Sequence, residues 1–166
     1  NEEIEKILNE FKDKYILVDE AYYEFYGESV VRYIDKYKNL LVTRTLSKAW
    51  GLAAIRIGFL ISAEENIEKF KTLKVPYTIS SLSKKIAEVI LEDKNKVKER
   101  SKNIIAEREK LYKALKYIEQ EAAMEVEFYA SQGNFIFGRT PYKEALLTGL
   151  KMHKIVIRDF KDDTFR

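Results

Sequence analysis

A carboxylate, a phenol and an amine stand within the first fifty residues, each just past a short apolar run. Val18-Asp19-Glu20-Ala21-Tyr22 closes one run and delivers Asp19 and then Tyr22. Thr45-Leu46-Ser47-Lys48-Ala49-Trp50-Gly51-Leu52 follows a second, with Arg56 a few residues on. A lysine held in a pocket near other cations can act as an amine nucleophile toward a carbonyl. Thr45, Ser47 and Arg56 can together hold a phosphate dianion, Arg56 through a bidentate contact. Each segment alone also has an ordinary reading. Asp19 can simply cap the turn that follows it, and a Ser-Lys pair arises by chance in any lysine-rich chain.

These groups need rigid elements behind them. Tyr15-Ile16-Leu17-Val18 and Leu40-Leu41-Val42-Thr43 are brief apolar runs without alternation, the pattern of strands buried on both faces in a parallel sheet. In such sheets the ligand crevice lies beyond the carboxyl ends of the strands, where Asp19 and Lys48 are expected to share one opening with Tyr22 and Arg56. A third strand is predicted over Ile55 to Ser62, with Gly58 inside it. Ile4, Ile7, Leu8 and Phe11 at helical spacing predict an opening helix, and 28–38 a short one. Longer helices are predicted over 64–73, 80–92 and 94–120, with Pro76 separating the first two and Ser80-Ser81-Leu82-Ser83 supplying N-cap chemistry.

From Met124 the texture changes. Glu125-Val126-Glu127-Phe128 alternates, Asn134-Phe135-Ile136-Phe137 is strand-like, Pro141 opens a helix through Leu150, and Ile155-Val156-Ile157 predicts a last strand. A boundary near residue 121 follows, with an α/β layer over 1–120 and a smaller α+β unit over 121–166. The final Phe165-Arg166 stops where another strand would begin, and the opening helix leads into a strand with no preceding sheet partner. The chain is therefore expected to be an excerpt from a longer protein.

Composition narrows the chemistry. Among 166 residues, 30 Lys+Arg face 27 Asp+Glu, a formal net charge of +3. The absence of cysteine excludes a disulfide framework, thiolate zinc sites and thiol catalysis, and the single His153 excludes a histidine-rich metal site, so no metal is expected. No apolar run approaches the about 18 residues of a membrane span, and nothing at the amino end resembles a signal peptide. A soluble, cytoplasmic protein is expected. The densest basic stretch, Lys94, Lys96, Lys98, Arg100 and Lys102, shares its helix with Asp93, Glu99 and an apolar series of Val97, Ile104, Leu111, Leu115 and Ile118. That is a solvated helix face rather than a nucleic-acid groove, which would interleave basic and aromatic residues.

Taken together the segments are specific. VDEAYYEF at 18–25, VTRTLSKAWGLAAIRIGF at 42–59 and VPYTISSLS at 75–83 resemble the core of fold-type I pyridoxal-phosphate enzymes, most closely the histidinol-phosphate aminotransferases. SQGNFIFGR at 131–139 and IVIRDF at 155–160 resemble the smaller domain of the same family. Ala53-Ala54 departs from the family's more usual Ala-Gly, and Gly133 occupies a variable place. The resemblance implies part of a large, mostly parallel α/β domain followed by part of a small α+β domain. It implies pyridoxal 5'-phosphate as cofactor, amino-acid and 2-oxo-acid substrates, and a homodimer without nucleic-acid or membrane partners. The implied reaction is transamination between histidinol phosphate and 2-oxoglutarate in histidine biosynthesis. A threonine-phosphate decarboxylase or an aromatic aminotransferase is the alternative enzyme, and a non-catalytic binding or assembly domain the alternative class.

The resemblance also implies roles. Lys48 attaches the cofactor and carries protons as general base and acid. Asp19 pairs with the protonated pyridine nitrogen, Tyr22 bonds the ring's phenolic oxygen, and Thr45, Ser47 and Arg56 hold the phosphate. Arg166 corresponds to the arginine that grips the substrate α-carboxylate. Arg158 is assigned to the substrate's phosphate, with a surface pairing to Asp159 or Asp162 as its ordinary alternative, and Asn134 is placed near the site. The glycine-containing phosphate loop, the ring that stacks on the cofactor and a tyrosine from the partner subunit belong to an amino-terminal half not in this sequence. The 166-residue chain alone is thus expected to be inactive and to bind the cofactor weakly.

Overall fold

A computed structural model describes residues 2–121 and 125–160. Helix α1 (Glu2–Glu10) leads into strand β1 (Ile16–Asp19), followed by a short helix α2 (Tyr23–Tyr26) and a single 3-10 turn at Val31–Tyr33. Strand β2 (Leu40–Thr45), a second 3-10 turn at Ala53–Ile55 and strand β3 (Gly58–Ser62) complete a three-stranded sheet of order β1-β2-β3. Helices α3 (Glu64–Lys71), α4 (Ser81–Glu92) and α5 (Lys94–Glu121) follow. The remainder is a β4 (Glu127–Tyr129) and β5 (Phe137–Arg139) pair, antiparallel, with helix α6 (Lys143–Met152).

Strands β1 and β2 run parallel with Asp19 opposite Thr43, so the carboxyl ends of both strands lie at the same edge of the sheet. Strand β3 returns antiparallel to β2, pairing Thr45 with Gly58. Leu8, Val30, Ile34, Tyr37, Leu40, Val42 and Ala63 form one buried cluster on this sheet. Fully burying a leucine or valine contributes about 1.5–3 kcal/mol, so the wholly buried Leu8, Leu40 and Val42 anchor the strands that carry the site. Asn39 fastens α1 to β2 by donating to the carbonyls of Phe11 (3.0 Å) and Lys14 (3.2 Å) just past the helix end. At α4, Ser80 caps the first turn as the sequence predicts, its hydroxyl accepting from the Ser83 amide at 3.0 Å.

Several expectations are corrected. The predicted helix over 28–38 is only the 3-10 turn at Val31–Tyr33. The third strand begins at Gly58, because the preceding residues turn and Arg56 takes a left-handed conformation incompatible with a ladder. Strand β1 is buried on one face only: Leu17 is 57% exposed on the other, where no element among the described residues covers it. Ile155–Ile157 forms no strand, because the Ile155 amide goes to the Leu150 carbonyl at 2.9 Å and closes the end of α6 instead. On α5, Val97 is buried but Leu111 and Ile118 are half exposed, so the apolar series is only partly covered.

The chain divides into two compact units, Asn1–Lys102 and Asn103–Arg166. The division falls inside α5 rather than at its end. The later part of the helix is tied to the segment beyond it, Arg108 donating to the Gly133 carbonyl (2.8 Å) and Glu119 accepting from the Phe128 amide (2.8 Å). Among the described residues no helix is long and apolar enough to cross a membrane.

Candidate active site

The lysine sits on a loop built to project it. Residues 46–57 connect β2 to β3, and the neck is closed by the Leu46 amide on the Ile57 carbonyl (3.1 Å) and the Leu52 amide on the Leu46 carbonyl (2.9 Å). Leu46 and Ala49 are each 1% exposed and pack the loop down; Ser47 and Lys48 lie between them, and Lys48 stands in solvent. Leu46 and Ile57 join Ala87 of α4 in a second buried cluster that supports the loop from beneath. Gly51 turns the chain with a φ of 70°, its amide reaching back to the Lys48 carbonyl at 3.0 Å. Gly58 is needed at the loop's exit, since a Cβ there would stand 3.0 Å from the Arg44 carbonyl oxygen.

Asp19 ends β1 and is exposed. Its Oδ1 accepts from the Ala21 amide (3.1 Å) and from the Thr43 hydroxyl (3.0 Å). It therefore does cap the turn, as the ordinary reading expects, but with one oxygen. Oδ2 accepts no hydrogen bond among the described residues and is available to a ligand cation. Tyr22 follows on the same loop, and the Lys48 ammonium lies 5.2 Å from its ring centroid. Thr45 orders the start of the lysine loop, accepting from the Ser47 amide at 3.1 Å and donating to the Ile57 carbonyl at 3.5 Å. Arg56 is exposed, with a φ of 56°, and one of its nitrogens donates to the Ala53 carbonyl at 3.1 Å.

Asp19, Tyr22, Thr45, Ser47, Lys48 and Arg56 thus stand on the connections leaving the carboxyl edge of β1 and β2. Asn134 and Arg158 belong to the second unit. Asn134 is exposed, beside Gly133, whose amide donates to the Ser131 hydroxyl at 3.0 Å. Arg158 lies 5.2 Å from the Phe160 ring centroid, and Asp159, one of its expected surface partners, pairs instead with Lys143 at 2.9 Å. Arg166 lies outside the described residues.

Sequence reasoning missed the support behind the site. Glu20 is buried and pairs with Arg44, which in turn stacks on Tyr23 at 3.8 Å. Trp50, whose indole no motif calls on, donates from its ring nitrogen to Glu24 at 2.7 Å, and its carbonyl accepts from Arg100 at 3.1 Å. Glu20 and Arg44 are visible in the sequence as opposite charges beside the key residues, yet their pairing, with Glu20 buried and Arg44 half-buried, follows from strand pairing across 24 positions.

A lysine-bearing loop and an acidic residue at the carboxyl ends of neighbouring parallel strands match the architecture of fold-type I pyridoxal-phosphate enzymes. The structure superposes on histidinol-phosphate aminotransferase from Sinorhizobium meliloti, solved in complex with pyridoxal-5'-phosphate, with a TM-score of 0.79, 22% identity, and coverage of 97% of this chain and 45% of that one. L-threonine-O-3-phosphate decarboxylase from Porphyromonas gingivalis gives a TM-score of 0.78 at 22% identity, covering 99% and 50% respectively. In sequence, histidinol-phosphate aminotransferase of Thermotoga neapolitana is 40% identical over 163 residues, which is 97% of this chain and 46% of that protein. The family model for aminotransferase class I and II matches residues 1–162, and the chain belongs to that family. It spans less than half the length of the Thermotoga relative.

Proposed function

We propose that this chain is the carboxy-terminal portion of a pyridoxal-phosphate-dependent aminotransferase acting on histidinol phosphate and 2-oxoglutarate. The observation that carries the proposal is Lys48: an exposed amine with no hydrogen bond or ion pair among the described residues, held against Tyr22 on the connection leaving β2, beside the β1 end that presents Asp19. The donor set fits the cofactor. The second oxygen of Asp19 suits a protonated ring nitrogen, and the Lys48 amine suits an aldehyde. The Ser47 hydroxyl and the uncommitted donors of Arg56 suit a phosphate dianion.

When bound, pyridoxal phosphate supplies an electron sink for the carbanion formed at the substrate's α-carbon. The chain's own residues do the rest. With the cofactor present, Lys48 Nζ would be the group that attaches it and, when free, would take and return the proton at the substrate's α-carbon. Asp19 keeps a proton on the ring nitrogen by its negative charge. The Tyr22 hydroxyl would hydrogen-bond the ring oxygen, and Thr45, Ser47 and Arg56 would hold the phosphate so that the ring keeps its place between half-reactions. Asn134, Arg158 and Arg166 complete the proposal as substrate-binding residues, Arg166 on the α-carboxylate of glutamate and Arg158 on the phosphate of histidinol phosphate.

In the parent protein, residues 1–120 form part of the cofactor-binding domain and 121–166 part of the small domain. That protein is a cytoplasmic homodimer in histidine biosynthesis. The exposure of Leu73 (75%), Val75 (67%) and Leu82 (72%) along one segment supports burial of that segment in a larger assembly. The decarboxylase fold, nearly as similar, supports a second reading as a threonine-phosphate decarboxylase. Incubating the full-length protein with histidinol phosphate and 2-oxoglutarate, and in parallel with threonine phosphate, tests the proposal: glutamate formation in the first supports it, and carbon dioxide release in the second without glutamate in the first overturns it.

A further inference from the structure

The loop that carries Tyr22 is fastened at its base and at its tip by side chains outside the set assigned to the cofactor. At the base, Glu20 follows Asp19 and takes the opposite face of the sheet, because successive residues of an extended chain alternate. Its side chain is 7% exposed. One oxygen accepts from Nε (3.0 Å) and a terminal nitrogen (2.8 Å) of Arg44 and from the Ser29 hydroxyl (2.9 Å). The other accepts from the Val30 amide at 2.7 Å. Ser29 and Val30 stand at the far end of the segment that leaves β1, so a single carboxylate closes residues 21–28 into a ring. Arg44 adds a bond to the Ser29 hydroxyl at 2.8 Å and lies over the Tyr23 ring. At the tip, Glu24 is held by the indole of Trp50, two residues past Lys48. Between the two fastenings the Tyr22 ring meets the Lys48 ammonium.

Stability alone is a poor reason for such a pair, since a buried ion pair replaced by well-packed apolar residues often leaves a protein no less stable. What the pair provides is direction. Two Arg44 nitrogens converge on one Glu20 oxygen while the Val30 amide holds the other, and the Arg44 stack on Tyr23 fixes the residue next to Tyr22; a lysine offers neither the paired donors nor the planar stack. We propose that Glu20 and Arg44 are positioning residues whose half-buried pair holds the Tyr22 loop against Lys48 and thereby sets the grip on pyridoxal phosphate, an inference that rests on the function proposed above.

The test uses the full-length parent protein carrying Arg44→Lys or, separately, Glu24→Ala. Arg44→Lys keeps the charge and loses the fork. Glu24→Ala releases the half-buried tip without touching the Glu20–Arg44 pair and reports what freeing the loop does by itself; should Arg44→Lys fail to fold, Glu20→Gln, which keeps the side chain's shape and loses its charge, decides the matter. Three quantities are measured: the dissociation constant of pyridoxal phosphate, the pH midpoint of the bound cofactor's absorbance change, and the melting temperature of the cofactor-free protein. Both folded variants are expected to bind the cofactor about tenfold more weakly. The midpoint is expected to move by about half a pH unit, because the phenol and the amine no longer meet at the same distance. Wild-type affinity and midpoint in the folded variants would overturn the proposal, and so would a lowered melting temperature with both unchanged. Failure of the unaltered parent to bind pyridoxal phosphate is a separate result, seen in wild type alone, and overturns the proposed function first.

Discussion

Replacing Asp19 with asparagine separates its two roles, because only one of them needs charge. Oδ1 accepts from the Ala21 amide and the Thr43 hydroxyl, and an asparagine carbonyl accepts both bonds in the same place. The side chain is exposed, so no buried charge is created or lost. Asp19→Asn is therefore expected to change the unfolding free energy by no more than about 0.5 kcal/mol. Toward the cofactor the loss is larger. A hydrogen bond between charged partners contributes about 1.5–3 kcal/mol, so binding of pyridoxal phosphate should weaken by about one to two decades. Turnover should fall further, since a neutral ring nitrogen draws electrons poorly from the substrate. The assay is a cofactor titration of the full-length protein, beside urea unfolding of the cofactor-free form. Unchanged affinity and turnover would show that Asp19 does no more than cap its turn.

Borohydride trapping of the cofactor-loaded full-length protein should label the peptide holding Ser47-Lys48; a label on another lysine would displace Lys48 from its role. Leu40→Ala removes a wholly buried side chain beneath β2 and should destabilise the fold by about 2–5 kcal/mol in urea; a smaller loss would mean the cluster around Leu8 and Val42 collapses to fill the space. Glu119 has its carboxyl pKa lowered, first by the hydrogen bond to Lys116 and then by the Phe128 amide, against a smaller desolvation cost. Its stabilisation is thus fully present above the ordinary carboxylate pKa of about 4.3 and is lost as pH falls through the lowered folded value. Glu119→Gln should flatten the acid side of the stability curve, and an unchanged slope between about pH 6 and pH 3 would contradict this.

The placement of the candidate residues was legible because it is local. Asp19 and Tyr22 share one short segment and Thr45, Ser47, Lys48 and Arg56 another, so each group's offset from its strand could be counted along the chain. Strands β1 and β2 were legible for the same reason, being short apolar runs with abrupt polar ends. What escaped depends on partners far away in sequence. Glu20 and Arg44 read as ordinary charges until the parallel pairing of β1 with β2 brings them together. Trp50 reads as packing because Glu24 lies on a different loop. The opposite error occurs at Ile155–Ile157, where β-branched residues satisfy the local pattern but the helix end claims the Ile155 amide. Leu17 shows a further limit: an apolar run announces that a face is meant to be covered, not which part of a protein covers it.

The backbone of Arg56 has a consequence for anyone seeking to make this protein hardier. Its φ of 56° and ψ of 43° place a side-chain-bearing residue where L-amino acids lose roughly 1–2 kcal/mol. Glycine at this position would relax that strain, offset in part by its greater freedom when unfolded. Arg56→Gly is therefore expected to be no less heat-resistant than wild type while holding the cofactor phosphate less well, whereas Arg56→Lys keeps the strain and loses the bidentate grip. Melting curves and cofactor titrations of the two full-length variants check this, and a clear loss of heat resistance in Arg56→Gly would refute it. A selection scored on heat resistance alone would discard the arginine; one scored on cofactor binding would keep it. At this residue, durability and usefulness are opposing selective pressures.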